Sequence, residues 1–257
     1  MGEVGGLGVR TPYPSATSRT KAARMQPSHT PLAFFDLDRT LVAENTGRLW
    51  VEHERREGII SSLQAARAMV WLGLYHLSLI DLDRAYSQAL AHYRGVADSE
   101  LRTRTEDWFL AQVAHRLQPG ARAALDWHRA QGHRCVMLTN SSPYQAAVAT
   151  RTWGLDGWVS NHFIADSAGL LTGEIERPIC YGAGKTTRAE RWAAEHGGSV
   201  AESWFYTDSL SDLPMLEVVA RPRIVQPDPR LRRVAARRGW PILDWRSADG
   251  AVAISDR

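Results

Sequence analysis

From residue 119 onward, short apolar runs alternate with segments whose apolar residues recur at helical spacing. Such alternation predicts a parallel sheet that is covered by helices on both faces. A further buried strand, LAFFD at residues 32–36, precedes this part of the chain and follows Pro31. The predicted fold class is therefore α/β, with a doubly wound parallel sheet. Strands are predicted at 135–139 and 203–207, helices at 121–131, 143–153 and 185–196, and a hairpin from 158–165 and 170–176.

A helical block lies between the first strand and the alternating part. Its apolar residues recur at three- and four-residue steps, the period of one helix face, at Leu63, Ala66, Val70, Leu74 and Leu77. Asp81 and Asp98 stand where N-caps are expected, ahead of predicted helices at 82–93 and 101–117. The chain is thus predicted to contain a core at residues 31–44 and 119–257 and an inserted helical domain at residues 45–118.

The composition excludes few functions. A chain of 257 residues can hold one good core and a small second domain. Its net charge of +3 is mild and decides nothing between an enzyme and a nucleic-acid binder. No apolar run reaches the roughly 20 residues of a membrane span. Cys135 and Cys180 have no metal-ligand spacing, so we expect both to be reduced, in keeping with a cytoplasmic protein.

Residues 1–30 differ from the rest of the chain. They are rich in Gly, Ser, Thr and Pro and lack the apolar centre of a secretory signal. We expect a disordered tail, or a start assigned too early with Met25 as the true first residue; a targeting segment is the alternative.

The first strand ends in the sequence Asp36-Leu37-Asp38-Arg39-Thr40. Two carboxylates brought close together repel each other, and a cation offsets that cost. Magnesium is a hard cation that prefers such oxygen ligands, so this pair predicts a Mg²⁺ site. The alternative is an acidic turn in which Asp38 caps the following element.

Three further segments at or just beyond strand ends carry polar residues. In a parallel sheet, functional groups collect at the edge formed by the carboxyl ends of the strands. Thr139 and Asn140, with the two serines after them, offer hydroxyl and N–H groups ahead of a helix, as a phosphate site or as a simple cap. Lys185 follows two glycines, but Ile179 stands where a nucleotide-binding P-loop needs glycine. The last segment supplies Asp208 and Asp212.

Taken in order, an aspartate pair, a hydroxyl, a lysine and a second aspartate pair resemble the four motifs of the haloacid dehalogenase-like superfamily. The resemblance is to its phosphoserine phosphatase-like branch and covers about residues 31–245. It is carried by FFDLDRTL, TNSSPY, CYGAGK, YTDSLSDLPMLE and the closing PDPRLRR…RGWPILDW. The resemblance implies a Rossmann-like catalytic core with a helical cap at residues 45–118.

The resemblance also implies a mechanism. Asp36 attacks phosphorus and is transiently phosphorylated. Asp38 protonates the departing alkoxide and then deprotonates the attacking water. Thr139 and the amide of Asn140 hold phosphoryl oxygens, while Lys185 neutralises charge near Asp36.

The implied cofactor is Mg²⁺. Its expected ligands are the carboxylates of Asp36 and Asp208, the backbone carbonyl of Asp38, and Asp212 either directly or through water. Members that cleave carbon–halogen bonds lack the second aspartate of the first motif, so Asp38 favours phosphate esters.

The resemblance implies a small phosphorylated metabolite as the substrate, with no nucleic-acid partner. Phosphoserine phosphatases carry a glutamate for the amino group of serine at the position of Asn45, and here the glutamate is the adjacent Glu44. This departure puts phosphoserine itself in doubt and leaves histidinol phosphate and lipid-derived phosphates open. Phosphotransfer to an acceptor other than water and a catalytically idle binding protein are the alternative functions.

Overall fold

The computed structural model describes residues 1–2, 30–76 and 89–247, with the backbone alone for 71–76. The predicted tail, apart from its first two residues and residue 30, lies outside the described residues. So do Leu77 and the predicted N-cap Asp81.

The strands have the following bounds: β1 Leu32–Phe35, β2 Arg134–Leu138, β3 Gly157–Val159, β4 Phe163–Ala165, β5 Leu171–Ile175, β6 Trp204–Thr207, β7 Arg221–Val225 and β8 Ile242–Leu243. The helices of the described residues have these bounds: α1 Thr46–Arg56, α2 Ser62–His76, α3 Asp98–Gln112, α4 Pro119–Ala130, α5 Pro143–Trp153, α6 Ala183–Glu195, α7 Leu213–Val218 and α8 Pro229–Arg238. Apart from the first strand of the predicted hairpin, the predicted strands and helices of the core therefore exist, with ends that differ by one or two residues.

The main sheet is parallel and has six strands in the order β3-β2-β1-β6-β7-β8. Every residue of β1 is buried, and this strand pairs with β2 on one side and β6 on the other. The chain moves outward from β1 to β3 and then crosses to β6. Such a change of direction opens a crevice at the carboxyl ends of the central strands. The predicted doubly wound parallel sheet is confirmed.

Two hydrophobic cores lie on the two faces of this sheet. Successive residues of a strand point to opposite faces. Ala33 and Phe35 pack in the core that contains residues of α3, α4 and α5, and Phe35 stacks on Tyr206 with ring centroids 4.7 Å apart. Leu32 and Phe34 pack in the core that contains residues of α6, α7 and α8. Both cores hold β1 in place, so the residue that follows it is rigidly positioned.

The predicted hairpin is partly wrong. Its first half divides between two sheets: residues 157–159 form β3 of the main sheet, and only Phe163–Ala165 pairs antiparallel with Leu171–Ile175. The break follows from Ser160 and Asn161, which are buried between the two strands and hold polar contacts instead of extending either one.

The inserted helices contact the core at several points. The segment before α3 joins the hairpin, since Gly95 N–H donates to the Leu171 carbonyl at 2.8 Å and Leu171 N–H donates to the Val96 carbonyl at 2.9 Å. Helix α3 packs on α5, where Arg151 and Glu106 form an ion pair at 2.6 Å. Helix α1 instead contacts α2.

The helix predicted from the spacing of Leu63 and Val70 is confirmed as α2, whereas the prediction of Asp98 as an N-cap is wrong. Leu63 and Val70 are 71% and 61% exposed, whereas Ala65 is buried. Helical spacing identifies residues that share a face, but it does not identify which face meets the neighbouring helix. The N-cap of α3 is Ala97 and not Asp98. Asp98 is the first residue of α3, and its carboxylate accepts a hydrogen bond from Tyr144 Oη at 2.7 Å.

Candidate active site

The first strand delivers Asp36 to the crevice. Asp36 N–H donates to the Tyr206 carbonyl at 3.0 Å, which continues the β1–β6 pairing by one residue. The chain then turns sharply over Leu37–Leu41, with Arg39 at φ 56°. Leu41 N–H donates back to the Asp36 carbonyl at 3.3 Å and closes the turn. The tight turn keeps Asp38 near the strand end that carries Asp36.

Lys185 lies between two of the predicted acids. Its Nζ is 2.9 Å from Asp36 Oδ1 and 2.8 Å from Asp212 Oδ2, and all three side chains are buried. Thr207 Oγ1, from the last residue of β6, also donates to Asp212 Oδ2 at 2.6 Å. Three of the four predicted motifs therefore meet at one ammonium group.

The close approach of the chain at Gly184 helps to place Lys185. A Cβ atom added at Gly184 would lie 2.1 Å from the Ile179 carbonyl oxygen, so only glycine fits. Gly182 has φ 53°, which also favours glycine. The two glycines that suggest a P-loop thus allow helix α6 to begin close to the preceding loop.

Asp208 is also buried, but in the described part of the chain its carboxylate has no ion-pair partner like the Lys185 ammonium group. No side chain of the described residues donates a hydrogen bond to its carboxylate. Burial raises the pKa of Asp208 well above its ordinary value, and the nearby charges of Asp36 and Asp212 raise it further. The charge of Arg39 opposes this shift without cancelling it, and a buried acid whose charge is not fully compensated is costly. A cation bound beside Asp208 would therefore lower the cost of its ionised form.

The pKa values of Asp36 and Lys185 reflect the same crowding. Burial raises the pKa of Asp36 to about 7; Lys185 opposes this effect, while Asp212 and Asp38 add to it. Burial lowers the pKa of Lys185, but the carboxylates of Asp212 and Asp36 outweigh burial, so its pKa is raised. Lys185 is thus a permanent cation in a cluster of acids that exceeds it in charge.

Magnesium fits this donor set. Among residues 30–76 and 89–247, no three His, Cys, Asp or Glu side chains form a group that could hold a metal ion by themselves, so further ligands would have to come from other sources. Mg²⁺ is often held by one or two carboxylates together with waters and phosphate oxygens. Asp36 and Asp208 could supply two carboxylates and Asp38 its backbone carbonyl, while one oxygen of Asp212 is engaged by Lys185 and Thr207.

The loop after β2 carries the predicted phosphate-binding residues. Thr139 is buried, and its Oγ1 accepts a hydrogen bond from Ser141 N–H at 3.1 Å. The fully buried Asn161, which the sequence did not suggest, donates from Nδ2 to the Asn140 carbonyl at 2.8 Å and to Asn140 Oδ1 at 2.9 Å. Its Oδ1 accepts from Cys180 N–H at 2.8 Å, so Asn161 connects this loop to the one before Lys185.

Asp38 has two partners that sequence reasoning missed. Thr46, the first residue of α1, donates to Asp38 Oδ1 from its N–H at 2.6 Å and from its Oγ1 at 2.7 Å. Ser141 Oγ donates to Asp38 Oδ2 at 3.3 Å. A threonine at a helix start is a common capping pattern, so no sequence signal marks its contact with Asp38.

The position that matches the substrate-binding glutamate of phosphoserine phosphatases has a different role here. The Asn45 side chain caps α1 by accepting a hydrogen bond from Arg48 N–H at 2.8 Å. The adjacent Glu44 forms an ion pair with Arg116 at 2.7 Å. Both side chains are therefore engaged within the protein.

Comparisons with known proteins identify the family of the chain. The family model for haloacid dehalogenase-like hydrolases matches residues 33–217. Phosphoserine phosphatase SerB1 of Mycobacterium tuberculosis is 32% identical over 233 residues, which cover 88% of this chain and 74% of SerB1. The histidinol-phosphatase of Neisseria meningitidis is 25% identical over 219 residues, which cover 84% of this chain and 99% of that protein.

A solved structure extends the likeness to the fold. A protein of unknown function from Bordetella pertussis superposes with a TM-score of 0.77 at 28% identity, covering 85% of this chain and all of that one. The match of the family model spans most of the chain and includes Asp36, Asp38, Lys185 and Asp208. The chain therefore belongs to the haloacid dehalogenase-like hydrolase family.

Proposed function

We propose that this hydrolase is a Mg²⁺-dependent phosphatase that cleaves small phosphate monoesters through an aspartyl-phosphate on Asp36. The observation that carries the proposal is the position of Lys185 between Asp36 and Asp212. Both acids also act on the buried Asp208, whose carboxylate accepts no hydrogen bond from a side chain in the described part of the chain. Phosphoryl transfer depends mainly on positioning and charge compensation. A buried cation beside a crowded set of acids suits that requirement.

In the proposed reaction, Asp36 attacks phosphorus through a carboxylate oxygen. Lys185 holds Asp36 Oδ1 at 2.9 Å, which leaves the other oxygen, Oδ2, for the attack. Thr139 and the Asn140 N–H bind oxygens of the phosphoryl group. The carboxylates of Asp36 and Asp208 and the backbone carbonyl of Asp38 would hold Mg²⁺, which would supply positive charge to offset the negative charge of the phosphoryl group.

Asp38 completes the reaction as acid and base. It gives a proton to the leaving alkoxide and later takes one from the water that attacks the aspartyl-phosphate. Asp212 holds Lys185 and would ligate the metal either directly or through water. We propose that residues 45–118 form the cap, which closes over the site and excludes water.

The proposed substrate is a small phosphorylated metabolite. The names of the two relatives point to phosphoserine and histidinol phosphate as first candidates. Because Glu44 and Asn45 are engaged elsewhere, phosphoserine is the less favoured of the two. A panel of phosphorylated metabolites, including lipid-derived phosphates, would rank them by kcat/KM.

Residues 1–2, 30–76 and 89–247 contain no helix that is long and apolar enough to cross a membrane. Cys135 and Cys180 are both buried free thiols, as predicted. Free thiols suit a reducing compartment, and we propose the cytoplasm.

Hydrolysis of p-nitrophenyl phosphate tests the proposed function. We expect activity with Mg²⁺, its loss with EDTA, its recovery on adding Mg²⁺ back, and its loss in Asp36→Asn. Asp126→Asn is the matched control, because Asp126 is 59% exposed and pairs with Arg129 on the surface. Activity that survives EDTA or Asp36→Asn would refute the proposal.

A further inference from the structure

The first residue of α1 donates two hydrogen bonds to one oxygen of the Asp38 carboxylate. Thr46 is fully buried, and both its N–H and its Oγ1 donate to Oδ1 of Asp38, at 2.6 and 2.7 Å. Asn45 is the N-cap of α1, so the Thr46 N–H is among the first N–H groups of the helix, which have no intrahelical acceptor. Asp38 supplies that acceptor.

The two oxygens of Asp38 therefore differ in their surroundings. Oδ1 accepts two short hydrogen bonds, whereas Oδ2 accepts one at 3.3 Å from Ser141 Oγ. Donors that point at one carboxylate oxygen stabilise negative charge there. Thr46 thus engages Oδ1, and Oδ2, on the side of the loop that follows β2, is the oxygen left for exchange with the substrate.

We propose that Thr46 is a positioning residue that fixes Oδ2 of Asp38 as the oxygen that exchanges the proton during catalysis. The inference rests on the proposed function. It assigns to the first cap helix a part in the chemistry, because the start of α1 supplies both donors to Oδ1 of Asp38.

The proton balance of both steps follows from this arrangement. In the first step, an Asp36 oxygen forms a bond to phosphorus, the bond from phosphorus to the ester oxygen breaks, and the proton on Asp38 Oδ2 moves to that oxygen. In the second step, Oδ2 takes a proton from water as the water oxygen bonds to phosphorus. The acyl-phosphate bond to Asp36 then breaks, and both aspartates return to their starting forms.

A series of aryl phosphates tests the role of Thr46. From p-nitrophenyl phosphate to phenyl phosphate, the leaving group becomes more basic and depends more on a donated proton, while the esters keep a similar shape. The value of kcat/KM reports the steps up to phosphorylation of Asp36. In Thr46→Val, which keeps the N–H and the volume but loses Oγ1, we expect kcat/KM to fall by about tenfold for phenyl phosphate. For p-nitrophenyl phosphate we expect less than about a twofold loss.

Two variants control for structural effects. Thr46→Ser keeps both donors and should restore the wild-type dependence on the leaving group. Thr105→Val removes the hydroxyl of another buried threonine of the inserted helices, whose Oγ1 donates only within α3 to the Leu101 carbonyl at 2.7 Å. It should leave the dependence unchanged. If Thr46→Val does not fold, Thr46→Cys keeps a weak donor and should give an intermediate dependence.

The outcomes separate this inference from the proposed function. A loss that is equal for all esters, or no loss, in a folded Thr46 variant would overturn the positioning role while the wild type remains an Mg²⁺-dependent phosphatase. If the wild type hydrolyses none of the esters, or Asp36→Asn hydrolyses them, the proposed function itself fails.

Discussion

The Nζ atom of Lys185 lies 2.9 Å from Oδ1 of Asp36, and the two residues are 149 positions apart in the chain. Both side chains are buried, and the same ammonium group also binds Asp212 at 2.8 Å. Removing one partner of a buried ion pair leaves an uncompensated charge, which costs more than the pair itself contributes. This contact therefore links the stability of the site to its chemistry.

Replacing Lys185 tests that link. In Lys185→Gln, Asp36 and Asp212 lose their counter-charge, so we expect unfolding by urea without Mg²⁺ to require about 3 kcal/mol less free energy. We also expect kcat/KM to fall by about 100-fold, since charge compensation is a large part of phosphoryl transfer. Arg191→Gln is the control, because Arg191 lies on the same helix and is 57% exposed. Equal stability of the two variants would contradict this account of the cluster.

Asp208 tests the proposed metal site by stability alone. In the wild type, a ligand that binds only the folded state at 100 times its Kd stabilises by about 2.7 kcal/mol. We expect Mg²⁺ to raise the Tm of the wild type and not that of Asp208→Asn. Without metal, Asp208→Asn should have the higher Tm of the two, because it removes an acid whose ionised form is disfavoured by burial and by Asp36 and Asp212 more than Arg39 favours it. Mg²⁺ stabilising both proteins equally would remove Asp208 from the metal site.

His128 predicts how stability depends on pH. It is fully buried on α4, where its Nε2 lies 2.9 Å from Tyr206 Oη, and burial lowers its pKa to about 3, with smaller effects of His133 and Arg223. Between pH 6.5 and about 3, the unfolded chain binds a proton at this histidine that the folded chain does not. The folded state therefore has its full stability from this group above pH 6.5 and loses stability as the pH falls. By pH 5, the loss of stability amounts to about 2 kcal/mol.

Urea unfolding at pH 7.5 and pH 5.0 measures this contribution. In His128→Phe, which keeps an aromatic ring in the core, the loss of stability between the two pH values should be smaller than in the wild type by about 2 kcal/mol. His115→Gln is the control, because His115 is exposed. A His128→Phe variant with the same pH dependence as the wild type would show that other groups control the acid response.

Asn161 tests the loop that binds phosphate in the proposed mechanism. Its Nδ2 donates to the Asn140 carbonyl, so Asn161→Ala should loosen the Asn140 N–H, which binds the phosphoryl group in the proposed mechanism. We expect inhibition by inorganic phosphate to weaken by about tenfold, the effect of losing roughly one good hydrogen bond. Ser160→Ala removes a neighbouring buried hydroxyl that bonds only to the Asn161 carbonyl. The idea fails if the two variants weaken phosphate inhibition equally.

The sequence predicted the sheet and the residues at its edge, because strand ends are marked by short apolar runs that stop at polar residues. The meeting of Lys185 with Asp36 and Asp212 was expected only from the family resemblance, since no local pattern relates residues so far apart. The contacts of Thr46 with Asp38 and of Asn161 with Asn140 were not predicted. Each joins segments that come together only after strands and helices have packed.

The inserted helices were the least predictable part. The exposed Leu63 and Val70 and the buried Ala65 show that helical spacing alone did not select the contact face of α2. The hairpin prediction was partly wrong for a related reason. The apolar run around Trp158 could pair in either sheet, and in the structure it pairs with β2 of the main sheet. In both cases the missing information lay in the neighbouring element.

The central claim is that Asp36 becomes phosphorylated during turnover. The most direct measurement is an acid quench of the enzyme while it hydrolyses p-nitrophenyl phosphate with Mg²⁺, followed by borohydride reduction of any acyl-phosphate and peptide mapping. The account predicts homoserine in place of aspartate at position 36 only, and more of it in Asp38→Asn, where water attack is slowed. Modification at another residue, or at none while substrate is being consumed, would contradict it.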